Sequence, residues 1–208
     1  MSREKWLEQR RHGIGASDVA AILGFSPWGT ALDVYLDKLG LKPPIEDNER
    51  MEAGRVFEPA ICAWVGQRTG RQVTYHAPYT DPIRHPEHDW IFTNLDADLY
   101  DSAKGLGVLE AKNTGIEKAG EWEEEPPPLY VVQLQVKLAI TRRPWGTLAA
   151  AIGGNSLRYS DLEFHADFWK TVALPRLESF WFDHVLKEVP PEVDLAHGTT
   201  GAALKLLY

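Results

Sequence analysis

The sequence has little cysteine, no long apolar run and no excess of positive charge. Its 208 residues include one cysteine, Cys62. A lone cysteine excludes a disulfide framework, a cysteine-built zinc site and a cysteine-ligated iron–sulfur cluster. No apolar run is long enough to span a bilayer, and the charged start MSREKWLEQRRHG lacks the apolar core of a signal peptide. We therefore expect a cytoplasmic protein with no membrane partner.

The formal net charge of −8 argues against a protein that coats nucleic acid by bulk charge. It leaves open an enzyme that binds DNA locally, because acids that hold a metal are neutralised within the site. The composition, 44% hydrophobic and 25% charged, is that of a globular protein with a real core. The length predicts one ordinary domain over residues 1–208.

The order of predicted elements favours an α/β or α+β fold with a mixed central sheet flanked by helices. Residues 1–70 read as mainly helical, including a helix from Arg50 to Gly70 that turns Phe57, Ile61, Trp64 and Val65 inward. Residues 71–160 read as a sheet with one inserted buried helix, LYVVQLQVKLAIT, and WIFTNLDADLY is predicted as a single strand. Residues 161–208 form a closing helix and a tail that looks loosely attached after Pro190.

One stretch, NLDADLYDSAKGLGVLEAKNT, carries the candidate chemistry. Alternate residues of a strand share a face, so Glu110 and Lys112 project together. If the preceding strand pairs with this one, Asp96 lies beside Glu110, with Asp98 as the alternative acid. Two carboxylates suit Mg²⁺, and a neighbouring lysine can orient a water or stabilise a phosphate, which is the chemistry of phosphodiester hydrolysis. The same alternation also fits a solvated strand edge.

Other polar residues have two interpretations each. Arg10 and Ser17 stand around a glycine-rich turn at a helix start, which suits a phosphate pocket or a simple helix cap. Glu58 is a further acid on an apolar helix, or a salt-bridge partner. Gln133 and Gln135 lie in the buried helix, and one of them faces the site if it is not bonded structurally.

In this order, the segments WLEQRRHGIGASDVAAILGFSPW, MEAGRVFEP, FTNLDADL, VLEAK and YVVQLQ resemble the YqaJ-like viral recombinase family. That family includes relatives of phage lambda exonuclease within the PD-(D/E)xK nuclease superfamily. The resemblance runs from Trp6 to about Gly154 and implies a restriction-endonuclease-like core. The superfamily's Pro-Asp is here Leu95-Asp96, and Ala97 stands where glycine is usual.

The resemblance implies a role for each candidate residue. Asp96, Glu110 and the backbone carbonyl of Ala111 would bind the metal, with Glu58 facing it through water or a second metal. Lys112 would be the catalytic lysine, with Gln133 beside the attacking water. The resemblance further implies that Arg10 and Ser17 hold a terminal 5′-phosphate. Asp98, which can share a face with Asp96, and Gln135 are the candidates for outer residues of the site.

The resulting hypothesis is a Mg²⁺-dependent 5′→3′ exonuclease that acts on double-stranded DNA ends in phage-type recombination, with Mn²⁺ able to substitute. The alternatives are an endonuclease or junction resolvase on the same fold, and a catalytically silent DNA-binding module. The resemblance also implies a single-strand annealing protein as partner, a homotrimer around the duplex, and the host cytoplasm if a phage encodes the chain.

Overall fold

The structure, a computed structural model, describes residues 1–43 and 46–207. The chain forms two compact units. The first comprises Met1–Ile45, Pro82–Thr93 and His165–Tyr208, and the second comprises Glu46–Asp81 and Asn94–Phe164. The single nuclease domain and its internal boundaries at 1–70, 71–160 and 161–208 stay a prediction.

The helices and strands are numbered in chain order. The helices are α1 (Arg3–Arg10), α2 (Val19–Ile22), α3 (Ala31–Lys38), α4 (Glu49–Thr69), α5 (Pro128–Thr141), α6 (Ala166–Phe168), α7 (Leu174–Glu178) and α8 (Thr200–Leu204). The strands are β1 (Ile14–Gly15), β2 (Gln72–Tyr75), β3 (Ile83–Arg84), β4 (Ile91–Thr93), β5 (Ala97–Asp101), β6 (Gly105–Thr114), β7 (Trp145–Ile152) and β8 (Ser156–Glu163). Short 3₁₀ helices cover Ala16–Asp18 and Ile116–Trp122, and π-helical turns cover Trp169–Ala173 and Ser179–Val185.

The second unit is built on a five-stranded mixed sheet in the order β2-β5-β6-β7-β8. The pair β6–β7 is parallel and the other three pairs are antiparallel. The connection between the parallel strands is α5, the inserted buried helix that the sequence predicted, since parallel neighbours need a crossover. The predicted mixed α/β fold is confirmed.

Alternate residues of the central strands pack against different helices. Leu109 and Ala111 of β6 join Ile61 and Val65 of α4 in one apolar cluster. Val108 on the other face of β6 joins a second cluster whose members include, from α5, Leu134 and Leu138. Because side chains alternate along a strand, Glu110 and Lys112 belong to the face that α5 covers.

The first unit contains a small sheet in the order β1-β4-β3. Strand β4 pairs with β1 in parallel and with β3 antiparallel. The predicted single strand WIFTNLDADLY was therefore wrong, because its first half is β4 of this sheet and its second half is β5 of the large sheet. Asn94, at the junction, is held by its side-chain amide, which donates to the carbonyl of Thr80 at 3.0 Å.

Helix α4 runs unbroken through Pro59 and ends at Gly70, whose φ of 73° is the left-handed geometry that glycine adopts without strain. Ile61 and Val65 point inward as predicted, but Phe57 is 49% exposed, so its predicted inward position was wrong. Helical spacing alone does not say which edge of a broad apolar stripe meets the sheet.

The tail after Pro190 is attached rather than loose. The Thr199 hydroxyl donates to Asp33 at 2.7 Å, and a ring nitrogen of His197 lies 3.1 Å from the carbonyl of Ser26. Thr200 and Ala203 of α8 are buried. Polar side chains that pair over long sequence separations leave no local pattern, which is why the sequence did not reveal this attachment. In residues 1–43 and 46–207, no helix combines the length and apolarity that a membrane crossing requires.

Candidate active site

Strand pairing in the second unit brings Asp96 next to Glu110. The register of β5 on β6 pairs Ala97 with Leu109, so Asp96, just before β5, falls beside the following β6 residues. One carboxylate oxygen of Asp96, Oδ2, accepts the backbone N–H of Ala111 at 2.8 Å. Glu110 is 1% exposed, and the Asp96 side chain is 15% exposed. Two carboxylates thus stand together in a largely water-excluded position.

Lys112 and Gln133 complete the predicted group. The Lys112 ammonium lies 2.5 Å from Glu110 Oε1 and donates to Gln133 Oε1 at 3.2 Å. Its Nζ also lies 4.9 Å from the centre of the Tyr130 ring. The structure therefore brings together Asp96, Glu110, Lys112 and Gln133, and their catalytic roles remain predictions.

A second lysine, Lys137, joins the same group, and the sequence reasoning missed it. Its ammonium donates to Asp96 Oδ1 at 2.8 Å and forms an ion pair with Glu110 Oε2. The Lys137 side chain is only 3% exposed. The available signal was its position four residues after Gln133, which places both on one face of α5. A lysine in an otherwise apolar, buried helix needs a partner of opposite charge.

Burial and charge act in opposition across the four ionisable groups. Burial raises the pKa of Asp96, and the nearby Glu110 carboxylate adds to that rise. Burial also works against ionisation of Glu110, but the ammonium groups of Lys112 and Lys137 outweigh it and hold the pKa of Glu110 below its usual range. Burial similarly opposes the charged lysines, yet the two carboxylates raise the pKa of each. The group is therefore a compact set of mutually compensating charges.

Glu58 of α4 belongs to the electrostatic surroundings of the acid pair. Burial, followed by the charge of Asp96, raises the pKa of Glu58 to about 7. The Tyr75 hydroxyl hydrogen-bonds to the Glu58 carboxylate, and burial raises the pKa of that hydroxyl to about 12. The charge of Asp96 therefore contributes to the raised pKa of Glu58.

Asp98 and Gln135 have different partners. The Asp98 carboxylate lies 2.5 Å from Arg143 and 3.1 Å from the His76 ring. The Gln135 amide donates to the backbone carbonyl of Glu163 at 2.8 Å. Of the two aspartates that the sequence left open, Asp96 is the one that contacts Lys137 beside Glu110.

In the first unit, Arg10 and Ser17 come together as predicted, with two further residues. The Arg10 guanidinium donates to the Ser17 hydroxyl at 3.0 Å and forms an ion pair with Asp18. Lys38 of α3, whose side chain is fully buried, donates to Asp18 at 2.7 Å. Burial opposes ionisation of Asp18, but Arg10 and Lys38 hold its pKa below the usual range. Two cations and one anion leave this cluster with one positive charge to offer a ligand.

The pair of Asp96 and Glu110 fits a hard divalent cation. Within residues 1–43 and 46–207, no group of three or more His, Cys, Asp or Glu side chains is placed to hold a metal. Mg²⁺ needs only one or two carboxylates and keeps waters elsewhere. Asp96 and Glu110 supply these carboxylates. Glu110 Oε2 is buried and, among the described residues, has the Lys137 ion pair but no hydrogen bond of ordinary geometry. A buried carboxylate oxygen satisfied only by a cation is suited to metal ligation.

The fold is that of the phage-type exonuclease structures. The crystal structure of LHK-Exo, an alkaline exonuclease from Laribacter hongkongensis, matches with a TM-score of 0.67 at 20% identity, covering 89% of this chain and 94% of that one. A phage-related exonuclease from Haemophilus somnus matches with a TM-score of 0.60 at 10% identity, covering 85% and 96%.

At the level of sequence, the YqaJ-like viral recombinase domain matches residues 5–144. The chain belongs to this family. The uncharacterized protein YqaJ of Bacillus subtilis (strain 168) is 33% identical over 198 residues, which cover 93% of this chain and 60% of that protein. The chain thus spans less than two thirds of the length of this relative.

Proposed function

We propose that the chain is a metal-dependent nuclease that degrades double-stranded DNA from its ends in the 5′→3′ direction. The observation that carries the proposal is the buried pair of Asp96 and Glu110, with Lys112 and Gln133 beside it. Membership of the YqaJ-like family and the likeness of the fold to exonuclease structures support the same class of enzyme.

In this proposal each residue has a distinct task. Asp96, Glu110 and the carbonyl of Ala111 hold the cation, which is Mg²⁺ or Mn²⁺, and Glu58 supports it from a greater distance. When bound, such a cation lowers the pKa of water and neutralises charge on the phosphate. Lys112, kept protonated by its carboxylate neighbours, stabilises the negative charge that develops on the scissile phosphate. Gln133 orients Lys112 and the attacking water.

The cluster of Arg10, Ser17, Asp18 and Lys38 in the first unit suits a 5′-phosphate. A guanidinium and a hydroxyl that already hydrogen-bond to each other present convergent donors for phosphate oxygens. Lys38 compensates Asp18, so that Arg10 keeps its attraction for an anion. This pocket favours an enzyme that begins at a DNA end over one that cuts internally.

The test is nucleotide release from linear duplex DNA carrying 5′-phosphates, with Mg²⁺ or Mn²⁺ and without either. We expect metal-dependent release by the wild type and a loss of about 100-fold or more in Lys112→Met, the range over which single charged groups act in catalysis. The matched control is Lys170→Met, which changes an exposed lysine of the first unit. No release by the wild type, or undiminished release by Lys112→Met, would refute the proposal.

Two further substrates separate the alternatives. Rapid nicking of covalently closed circles, or cleavage of four-way junctions, would favour an endonuclease or resolvase. Duplexes labelled at the 5′ or the 3′ end report polarity, and we expect the 5′ label to be released first. Failure to bind any divalent cation would favour a silent DNA-binding module.

We also propose that the protein works in the cytoplasm with a single-strand annealing protein, and as a homotrimer. Both assemblies are read from the family resemblance. Mass photometry with and without duplex DNA tests the trimer, since a species of three times 23.4 kDa is expected. Retention of a purified single-strand annealing protein on the immobilised chain tests the partner.

A further inference from the structure

Each carboxylate oxygen of the acid pair has a defined partner. Oδ2 of Asp96 accepts the Ala111 N–H, and Oε1 of Glu110 faces the Lys112 ammonium. The remaining two oxygens, Asp96 Oδ1 and Glu110 Oε2, both face the Lys137 ammonium. Strand β6 itself makes the contacts to Asp96 Oδ2 and Glu110 Oε1. Helix α5 makes the contacts to the other two oxygens, through Lys137.

This division decides where a cation can enter. Asp96 Oδ1 and Glu110 Oε2 are the oxygens of the acid pair that have no contact from β6, and a cation held by both acids would compete for them with their present partner. These are the oxygens that Lys137 holds. An ammonium and a divalent cation cannot share the same two oxygens, because like charges a few ångströms apart repel strongly where water is scarce.

We propose that Lys137 is a built-in counter-ion, which holds Asp96 and Glu110 in the metal-free protein and moves aside when a divalent cation binds. The inference rests on the metal site of the proposed function and adds a residue that competes for it. Together with Lys112, Lys137 neutralises a buried acid pair that would otherwise be costly to fold without metal. The same contact weakens metal binding, because each binding event must break it.

Lys137 is better suited to this role than Lys112. Lys112 touches Glu110 and Gln133 and stands on the strand that carries Glu110. Lys137 contacts both acids from a helix, and its four-carbon stem can change rotamer while the strands stay in place. Lys112 can therefore remain beside the scissile phosphate while the Lys137 ammonium moves away from Asp96 and Glu110.

Isothermal titration of the DNA-free protein with MgCl₂ tests the inference apart from cleavage. We expect Lys137→Met to bind Mg²⁺ about tenfold more tightly than the wild type, because no ammonium has to be displaced. The metal-free melting temperature of Lys137→Met should be lower than that of the wild type. Saturating Mg²⁺ should raise the melting temperature of the variant by more than it raises that of the wild type. The control is Arg71→Met, which removes another ion-paired cation of the second unit; it should lower stability without changing Mg²⁺ affinity.

A measurement on the wild type covers the case in which Lys137→Met fails to fold. The ¹H–¹⁵N signal of the Lys137 side chain should be sharp and slowly exchanging without metal, and should shift or vanish as Mg²⁺ saturates the site. An unchanged signal at saturation, or equal Mg²⁺ affinity in the wild type and Lys137→Met, would overturn the inference and leave the nuclease proposal standing. A wild type that binds no divalent cation would overturn both.

Discussion

Replacing Asp33 by Asn tests how the first unit is held together. Asp33, in the first turn of α3, accepts hydrogen bonds from the Thr30 N–H at 2.9 Å and the Thr30 hydroxyl at 3.0 Å. It also accepts from Lys42 at 2.8 Å and from the Thr199 hydroxyl of the tail at 2.7 Å. An amide at this position presents an N–H₂ group to one set of these donors, so at least one contact is lost.

The size of the effect follows from the pKa of Asp33. Burial opposes its ionisation, but the hydrogen bonds from Lys42, Thr199 and Thr30 lower its pKa from 3.8 to about 2. A folded-state pKa below the unfolded value stabilises the protein above the unfolded pKa, and the stabilisation is lost as pH falls through the folded pKa. At 1.36 kcal/mol per pKa unit, the carboxylate contributes about 2 kcal/mol at pH 7 and about half of that at pH 3.

Urea denaturation of the wild type and Asp33→Asn between pH 7 and pH 3, followed by tryptophan fluorescence, measures this contribution. We expect the difference in unfolding free energy to be about 2 kcal/mol at pH 7 and to narrow towards pH 3. Asp37→Asn, on the same helix, should change stability by less than about 0.5 kcal/mol. A difference that stays constant with pH would refute the reasoning, because the loss would then not come from the ionised carboxylate.

The remaining predictions concern the two sites and the core. Asp96→Asn should abolish the Mg²⁺ binding measured by titration, while Asp98→Asn should retain it, because Asp98 is ion-paired with Arg143. Loss of Mg²⁺ binding in Asp98→Asn but not in Asp96→Asn would make Asp98 the metal ligand. Lys38→Met should reduce the preference for 5′-phosphorylated over 5′-hydroxyl duplex ends in a competition digest, since Arg10 would then be fully compensated by Asp18. Leu99→Ala, at a fully buried position of β5, should cost about 2–5 kcal/mol in urea denaturation and leave the metal affinity intact.

Much of the fold was readable from local patterns. The apolar helix that became α5 follows from its length and apolar character, and the strand that became β6 follows from the alternation around Glu110 and Lys112. The division of WIFTNLDADLY between two sheets was not readable, because each half is a good strand and only its pairing partners differ. The exposed Phe57 and the anchored tail were missed for the same reason, since both depend on what the rest of the chain places against them.

By itself, the sequence determined the residue types of the candidate site and the alternation that puts Glu110 and Lys112 on one face of β6. It also supplied the ordered motifs that pointed to the YqaJ-like family. Only the tertiary structure shows that Asp96 contacts Lys137 beside Glu110, whereas Asp98 contacts Arg143. Only the tertiary structure brought Lys137 to the acid pair. A charge compensated across a sheet and a helix leaves no local signature, since the partners are distant in sequence and meet only when the core closes.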